Sequence, residues 1–406
     1  MERLFEIQKI ILEQFDLSQI YQREFYNQIT LDNYATGIVG PRGIGKTTFL
    51  LILALKYGAK SRNALYVSAD NLFFLENRLI DLADWLYKET NVKYLCIDEI
   101  HKYPNWVQEL KNIVDTYKNL RIIFSGSSAI DIIHSKYDLS RRVTIHNFHG
   151  LSFREFLEFY LNIKLPLFSL TDLVENHLEI AQNIPAPQIL KNFREYLRVG
   201  YYPFLKSLTQ DREKFQAIEN STQKTIYEDI ATLHQIHSNN LIFIEKIFKY
   251  VINSSPGELN THKLSKHLNK DHETIDNYIK YLNEAGLIRC LYSQKAGKPF
   301  LKRPTKIYPE NTNLVYANYL LPQNSEDILG KIRETFVVNN LQNTDHKIFY
   351  NETGDFKIEN YYCEVGGKNK TFKQLAEKFP SFVIADNIVT GTHKNTIPLY
   401  LFGFLY

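Results

Sequence analysis

The chain is poor in several of the features that would give it away cheaply. Among 406 residues there are only three cysteines, Cys96, Cys290 and Cys363. They lie far apart and show no metal-ligand spacing, which excludes a disulfide framework or a zinc ribbon and fits a reduced interior. No apolar run approaches the roughly 18 residues needed to span a bilayer. The opening Met1-Glu2-Arg3 has no signal-peptide pattern, so a cytoplasmic protein without a membrane segment is expected. Charge of one sign is also lacking: 48 basic against 45 acidic residues give a net +3. That balance does not describe a strongly basic nucleic-acid binder, although it leaves room for a local basic face. Repeats and low-complexity linkers are absent. What remains is a chain with 44% hydrophobic residues, long enough for two or three domains with real cores.

Against that background one stretch stands out. Gly40, Pro41, Arg42, Gly43, Ile44, Gly45, Lys46 and Thr47, followed by Thr48, contain a glycine, four residues, then Gly-Lys-Thr. This is the pattern of a loop that cradles a nucleotide's phosphates. The context fits: Thr36 to Val39 reads as a short buried strand and Thr47 to Leu55 as a helix. Glycines let the backbone curl so that several N–H groups face one anion, and the helix N-terminus adds its positive end. Lys46 is expected to reach the β and γ phosphates, and Thr47 to hold Mg²⁺ through its hydroxyl.

About fifty residues on, Tyr94-Leu95-Cys96-Ile97-Asp98-Glu99 reads as a buried strand ending in two acids. The C-terminal ends of parallel strands are where ligands bind. Asp98 is expected in the Mg²⁺ shell, and Glu99 as the base that orients and deprotonates water. Between loop and acids, Ala64 to Ser68 reads as a strand and Asn71 to Lys88 as a helix. After them, Asn105 to Leu120 reads as a helix with Trp106, Leu110, Val114 and Tyr117 on its core face. The strand Arg121 to Phe124 runs into Ser125-Gly126-Ser127-Ser128. Ser127 is the candidate for γ-phosphate or water contact, with Ser125 and Ser128 as rivals. Arg141 and Arg142 precede a strand from Val143 to Phe148. Either arginine, acting on a neighbouring subunit's γ-phosphate, would make the active unit a homo-oligomer; a salt bridge within the chain is the competing reading.

The runs L-C-I-D-E-I-H-K-Y-P-N-W, I-I-F-S-G-S-S and G-L-S-F-R-E-F resemble the AAA-type ATPases of bacteria and archaea that carry a winged-helix segment and a nuclease-like C-terminal domain of unknown function. The resemblance is strongest in the first 150 residues and weaker beyond. It implies an α/β fold: an additional-strand P-loop NTPase with a parallel sheet, using ATP and Mg²⁺ with Glu99 as the catalytic glutamate. A helical and winged-helix region and a restriction-nuclease-like α/β domain would follow. Many members have a glycine before the arginine, where this chain has Ser140-Arg141-Arg142. The expected division is 1–150 for the ATPase domain, 151–320 for the helical lid and winged helix, and 321–406 for the nuclease-like domain.

Within the middle region, Asn260 and Asp271 read as caps of two helices carrying Leu264, Leu268, Ile275, Ile279 and Leu282. Leu287 to Ser293 and Lys302 to Tyr308 read as wing strands. The second helix is mixed to acidic, poor for phosphate contact. Lys295, Lys298, Lys302, Arg303 and Lys306 cluster in the wing, which is therefore where DNA contact is expected, together with the C-terminal domain. In that domain Glu334, Asp355 and Glu364 are the candidates for a second metal site. A nuclease also needs a lysine two residues after the acid. That position holds Gly366, and Lys368 has the wrong spacing, so a domain serving assembly or binding is expected.

Overall fold

The computed structural model describes residues 1–31, 33–126, 139, 142–184, 188–254, 257–258, 261–294, 304–319, 326–375, 378–391 and 393–406. The chain divides into two compact units, Met1–His149 and Gly150–Tyr406.

In the first unit, helix α1 (Glu2–Glu13) is followed by strand β1 (Ala35–Val39) and helix α2 (Lys46–Lys56). Strand β2 (Ala64–Ser68), helix α3 (Leu79–Glu89), strand β3 (Tyr94–Asp98), helix α4 (Trp106–Thr116), strand β4 (Arg121–Gly126) and strand β5 (Val143–Asn147) complete it. The five strands form one sheet in the order β2-β3-β4-β1-β5, and every pairing is parallel. Both faces of such a sheet are covered, so its strands read as apolar runs; all five residues of β1 are buried. Helix α2 is apolar nearly all round, with Phe49 to Ala54 buried without interruption. Gly37 lets β1 pack closely, because a Cβ there would lie 2.6 Å from Ile145 Cδ1 and 2.7 Å from the Phe124 ring.

Two helices are shorter than the sequence suggests. Asn71 accepts a hydrogen bond from Phe73 N at 2.9 Å and turns Leu72–Leu75 into a 3₁₀ turn. The following helix then begins at Leu79 instead of Asn71, where Glu109 accepts from Ile80 N at 3.0 Å and pairs with Arg78 at 3.2 Å. The helix expected to run to Leu120 ends at Thr116, and Leu120 is buried just before β4.

The outer strand β2 is closed by a side chain. Gln8 of α1 donates to Ala59 O at 3.4 Å and Ala64 O at 3.3 Å and accepts from Tyr66 N at 2.5 Å.

The second unit opens with helices α5 (Phe153–Leu161), α6 (Leu170–Asn183), α7 (Ile189–Val199), α8 (Asp211–Lys224) and α9 (Ser238–Asn253). Ser152 and Glu155 form a reciprocal capping box at the start of α5. Helices α10 (Thr261–Leu268) and α11 (His272–Glu284) follow, the latter capped by Asp271. Strands β6 (Ile288–Leu291) and β7 (Lys306–Pro309) pair antiparallel. Next come helices α12 (Thr312–Asn318) and α13 (Glu326–Asn343), then strands β8 (Ile348–Tyr350), β9 (Phe356–Ile358), β10 (Tyr361–Gly366), β11 (Ser381–Ala385) and β12 (Thr396–Pro398). The last five form a sheet ordered β12-β11-β10-β9-β8, parallel from β10 through β12 and antiparallel elsewhere.

An aromatic-rich core runs through this unit. Phe153 of α5 meets Phe193 of α7 at 5.1 Å between ring centroids. Phe193 meets Phe336 of α13 at 4.9 Å, and Phe153 meets Phe404 near the C-terminus at 5.8 Å. Segments on either side of residue 320, read from the sequence as separate domains, thus share one core. Lys331 of α13 is buried in the unit, donating to Val251 O at 2.6 Å and Ile252 O at 2.7 Å at the end of α9. Among the described residues no helix is long and apolar enough to cross a membrane.

Candidate functional site

In the first unit β4 lies between the loop-bearing β1 and the acid-bearing β3. Both β1 and β3 end at the same edge of a parallel sheet, two strand spacings apart, about 10 Å. The loop from Gly40 to Gly45 and the acids Asp98 and Glu99 therefore emerge side by side. Two glycines of the loop have no substitute. Gly45 stands at φ 98° directly before α2, a left-handed conformation that costs a side-chain-bearing residue. A Cβ on Gly40 would lie 2.3 Å from Phe148 O. Lys46 is buried, and its ammonium donates to Gly40 O at 2.7 Å and Pro41 O at 2.6 Å. Thr47 and Thr48 occupy the first turn of α2, with Thr47 exposed.

Asp98 is buried at the end of β3 with only 4% of its surface exposed. Its Oδ1 accepts the Ser125 hydroxyl and Glu99 N at 3.1 Å; its Oδ2 accepts the Tyr66 hydroxyl at 3.0 Å. Burial, and next the Asp98 charge, push the Tyr66 phenol far above its ordinary range, so it stays a donor. Ser125 also accepts from Glu99 N at 3.0 Å. Glu99 itself sits at φ 48°, a left-handed conformation uncommon outside glycine and asparagine that often marks a functional position. Its carboxylate is 4.0 Å from Arg42 and 3.5 Å from Lys102.

The residues expected around this site fall into three groups. Gly40 to Thr48, Asp98 and Glu99 are brought together. Ser127, Ser128 and Arg141 lie outside the described residues. Arg142 is engaged elsewhere: its Nε and Nη2 donate to the Asp115 carboxylate at 2.6 and 3.0 Å. This bidentate pair holds the Asp115 carboxyl below its usual range and is a salt bridge within the chain. Ser125, one of the rivals to Ser127 for the γ-phosphate or water contact, meets the acids: its hydroxyl donates to Asp98 and accepts from Glu99 N. Its position at the strand end was visible in the sequence, but its partner was not. Tyr66 and Arg42 carried no motif signal for their contacts.

The candidates in the second unit are not gathered in the same way. Among the described residues no group of three or more His, Cys, Asp or Glu side chains is placed to hold a metal ion. Glu334 accepts the Tyr308 hydroxyl at 2.8 Å and lies 3.5 Å from Lys306. Burial raises its pKa, against the Lys306 charge and with that of Asp355. Asp355 accepts from Val365 N at 2.7 Å. Glu364, 2% exposed at its side chain, pairs with Lys370 at 2.5 Å. The lysine at this acid is thus Lys370 and not Lys368. A Cβ on Gly366 would lie 2.6 Å from Lys370 Cδ, so the glycine where a lysine was expected makes room for one arriving from further along the chain. Lys306, expected among the wing cations, is turned inward to Glu334. Lys295, Lys298, Lys302, Arg303 and Asn260 lie outside the described residues.

Comparison with known proteins agrees with the first unit and leaves the second open. The family model described as "AAA domain" matches residues 32–157. A domain of unknown function, DUF8612, matches residues 190–326. A search of curated proteins finds no match. Among solved structures, the Walker-type ATPase PABY2304 of Pyrococcus abyssi is 11% identical, with 74% of this chain and 96% of that chain covered at a TM-score of 0.41. AMPPCP-bound DnaA from Aquifex aeolicus is 14% identical, with 64% of this chain and 85% of that chain covered at a TM-score of 0.27. Such loose likenesses transfer neither partner nor activity. The five-stranded parallel sheet, the glycine loop opening α2 and the family match over the same residues together show that this chain carries an AAA-type P-loop domain.

Proposed function

We propose that the first unit binds and hydrolyses ATP. The observation that carries this reading is the emergence of the Gly40–Thr48 loop and the Asp98–Glu99 pair at one edge of a parallel sheet. The loop amides and the N-terminus of α2 are suited to the phosphates. Lys46 is held by two loop carbonyls, contacts that an anion can replace, after which its ammonium serves the β and γ phosphates. Thr47 and Asp98 fit a divalent cation, since both are oxygen ligands and Asp98 is oriented by neutral donors; Mg²⁺ bound there would offset phosphate charge. Glu99, a quarter exposed and only loosely paired, accepts a proton from the attacking water as its oxygen bonds to the γ-phosphorus and the bond to the β-phosphate oxygen breaks.

Hydrolysis is taken to alter how the second unit engages DNA or a protein partner, with the wing cations as the DNA-facing element. A homo-oligomer completed by Arg141 accords with the AAA-type domain. The C-terminal sheet is read as nuclease-like in form but assigned to binding, because its best-placed acid is neutralised by Lys370.

The test is a pair of substitutions. Lys46→Ala is expected to lose binding of a fluorescent ATP analogue. Glu99→Gln is expected to bind it normally while multiple-turnover phosphate release falls by roughly a hundred-fold or more. Wild-type turnover in Glu99→Gln overturns the assignment of the base. Tight binding by Lys46→Ala overturns that of the loop.

A further inference from the structure

Asp98 accepts from three donors, and the way it is satisfied limits what it can do. An ionised carboxylate offers about four lone-pair directions. Two on Oδ1 are taken by the Ser125 hydroxyl and Glu99 N. One on Oδ2 is taken by the Tyr66 hydroxyl. What remains is a single direction on Oδ2, and its aim is set by the Tyr66 contact. Tyr66 is itself fixed at both ends. Its backbone N–H is bound by Gln8 at 2.5 Å, and its ring is buried on β2, whose residue Ser68 pairs with Asp98.

We propose that Tyr66 is a positioning residue for the cation shell: its hydroxyl pins Asp98 Oδ2 so that the one open lone pair faces the loop side of the site. The inference rests on the ATP-binding reading above and adds to it a residue outside the motifs. Tyr66 does not touch the nucleotide. It acts through Asp98, as hydrogen-bond partners behind metal-bound carboxylates do elsewhere, where their loss typically lowers metal affinity about ten-fold or more.

The test is the Mg²⁺ dependence of nucleotide binding, read by a fluorescent ATP analogue across free Mg²⁺ concentrations and, separately, in EDTA. Tyr66→Phe keeps the ring and removes only the hydroxyl. The Mg²⁺ concentration at half effect is expected to rise roughly ten-fold, with the EDTA affinity unchanged. That unchanged affinity also shows that the loop is folded. In an Asp98→Asn background the same substitution is expected to have no further effect on the Mg²⁺ curve, because a residue acting only through Asp98 is not additive with its loss. A Mg²⁺ curve for Tyr66→Phe overlying that of wild type overturns the proposal, as does full additivity with Asp98→Asn. If Asp98→Asn alone leaves the Mg²⁺ curve unmoved, the cation assignment of Asp98 fails with it. Should Tyr66→Phe lose EDTA binding too, its effect is loss of packing and the positioning role is overturned.

Discussion

Two buried carboxylates, Asp98 in the first unit and Glu364 in the second, make an instructive pair. Both sit on strands with at least one parallel neighbour, and both are almost fully buried, at 4% and 1% exposure. They differ in who greets them. The donors to Asp98 are two hydroxyls and an amide, groups that hold the carboxylate in place and leave its charge to be matched by a cation. Glu364 meets an ammonium at 2.5 Å, while its other oxygen has no hydrogen-bond partner among the described residues. Burial of an acid on a sheet is therefore not enough to make a metal site. A fixed cation already beside the acid leaves less charge for a metal ion to match, and that cation need not come from the motif.

The sharpest way to break this contrast is to remove the fixed cation. Lys370→Met leaves Glu364 buried without a counter-charge, and the second unit is expected to lose about 2–3 kcal/mol in urea unfolding, discounted because Lys370 is partly solvated. Adding Glu364→Gln is expected to recover much of that. If Lys370→Met costs nothing, Glu364 is not governed by this pair and its comparison with Asp98 falls.

Lys331 extends the contrast to a buried cation. Its ammonium is held by carbonyls at a helix C-terminus, a favourable place for positive charge, yet burial outweighs this and the opposing pull of Glu334 and lowers its pKa to about 7. The unfolded chain then binds more protons than the folded one above that value. Stability contributed by this group is lowest below pH about 7 and rises as pH climbs toward the unfolded lysine value. Urea midpoints of the wild type are expected to rise between pH about 7 and about 9, below the tyrosine range, and Lys331→Met to flatten that slope. A slope unchanged by the substitution removes Lys331 from the explanation.

The smallest effect is expected at Arg142. Its partner Asp115 is exposed, and such pairs contribute little. Arg142→Ala should leave phosphate release within roughly two-fold of wild type. A large loss would mean that Arg142 leaves Asp115 to act on nucleotide after all.

How much of this was legible in the sequence follows the same division. In the first unit the loop, the helix it opens and the strand with its paired acids are contiguous patterns, and the chain folds them as read. What escaped notice there depends on residues meeting from different strands. Tyr66 and Ser125 reach Asp98 only once β2, β3 and β4 lie in order, and no spacing announces that. The helix read from Asn71 failed for a local reason, since an asparagine that can cap a turn competes with helix continuation. In the second unit the decisive pair spans Glu364 and Lys370 across a turn, with Gly366 as the opening. A missing lysine in the motif was legible; its replacement from six positions away was not. Likewise nothing near Phe153 in the sequence names the distant ring, Phe404, that packs against it.

Gln8 has a consequence for assembly. A bare outer strand is a template on which a neighbour's strand can dock, and proteins guard such borders against runaway polymerisation. At β2 the guard is one amide that imitates a peptide group, offering its oxygen to Tyr66 N and its nitrogen to Ala64 O. With a helix seated there, the sheet is finished on that flank. A single exchange of Gln8 for leucine would free Tyr66 N and Ala64 O on that border.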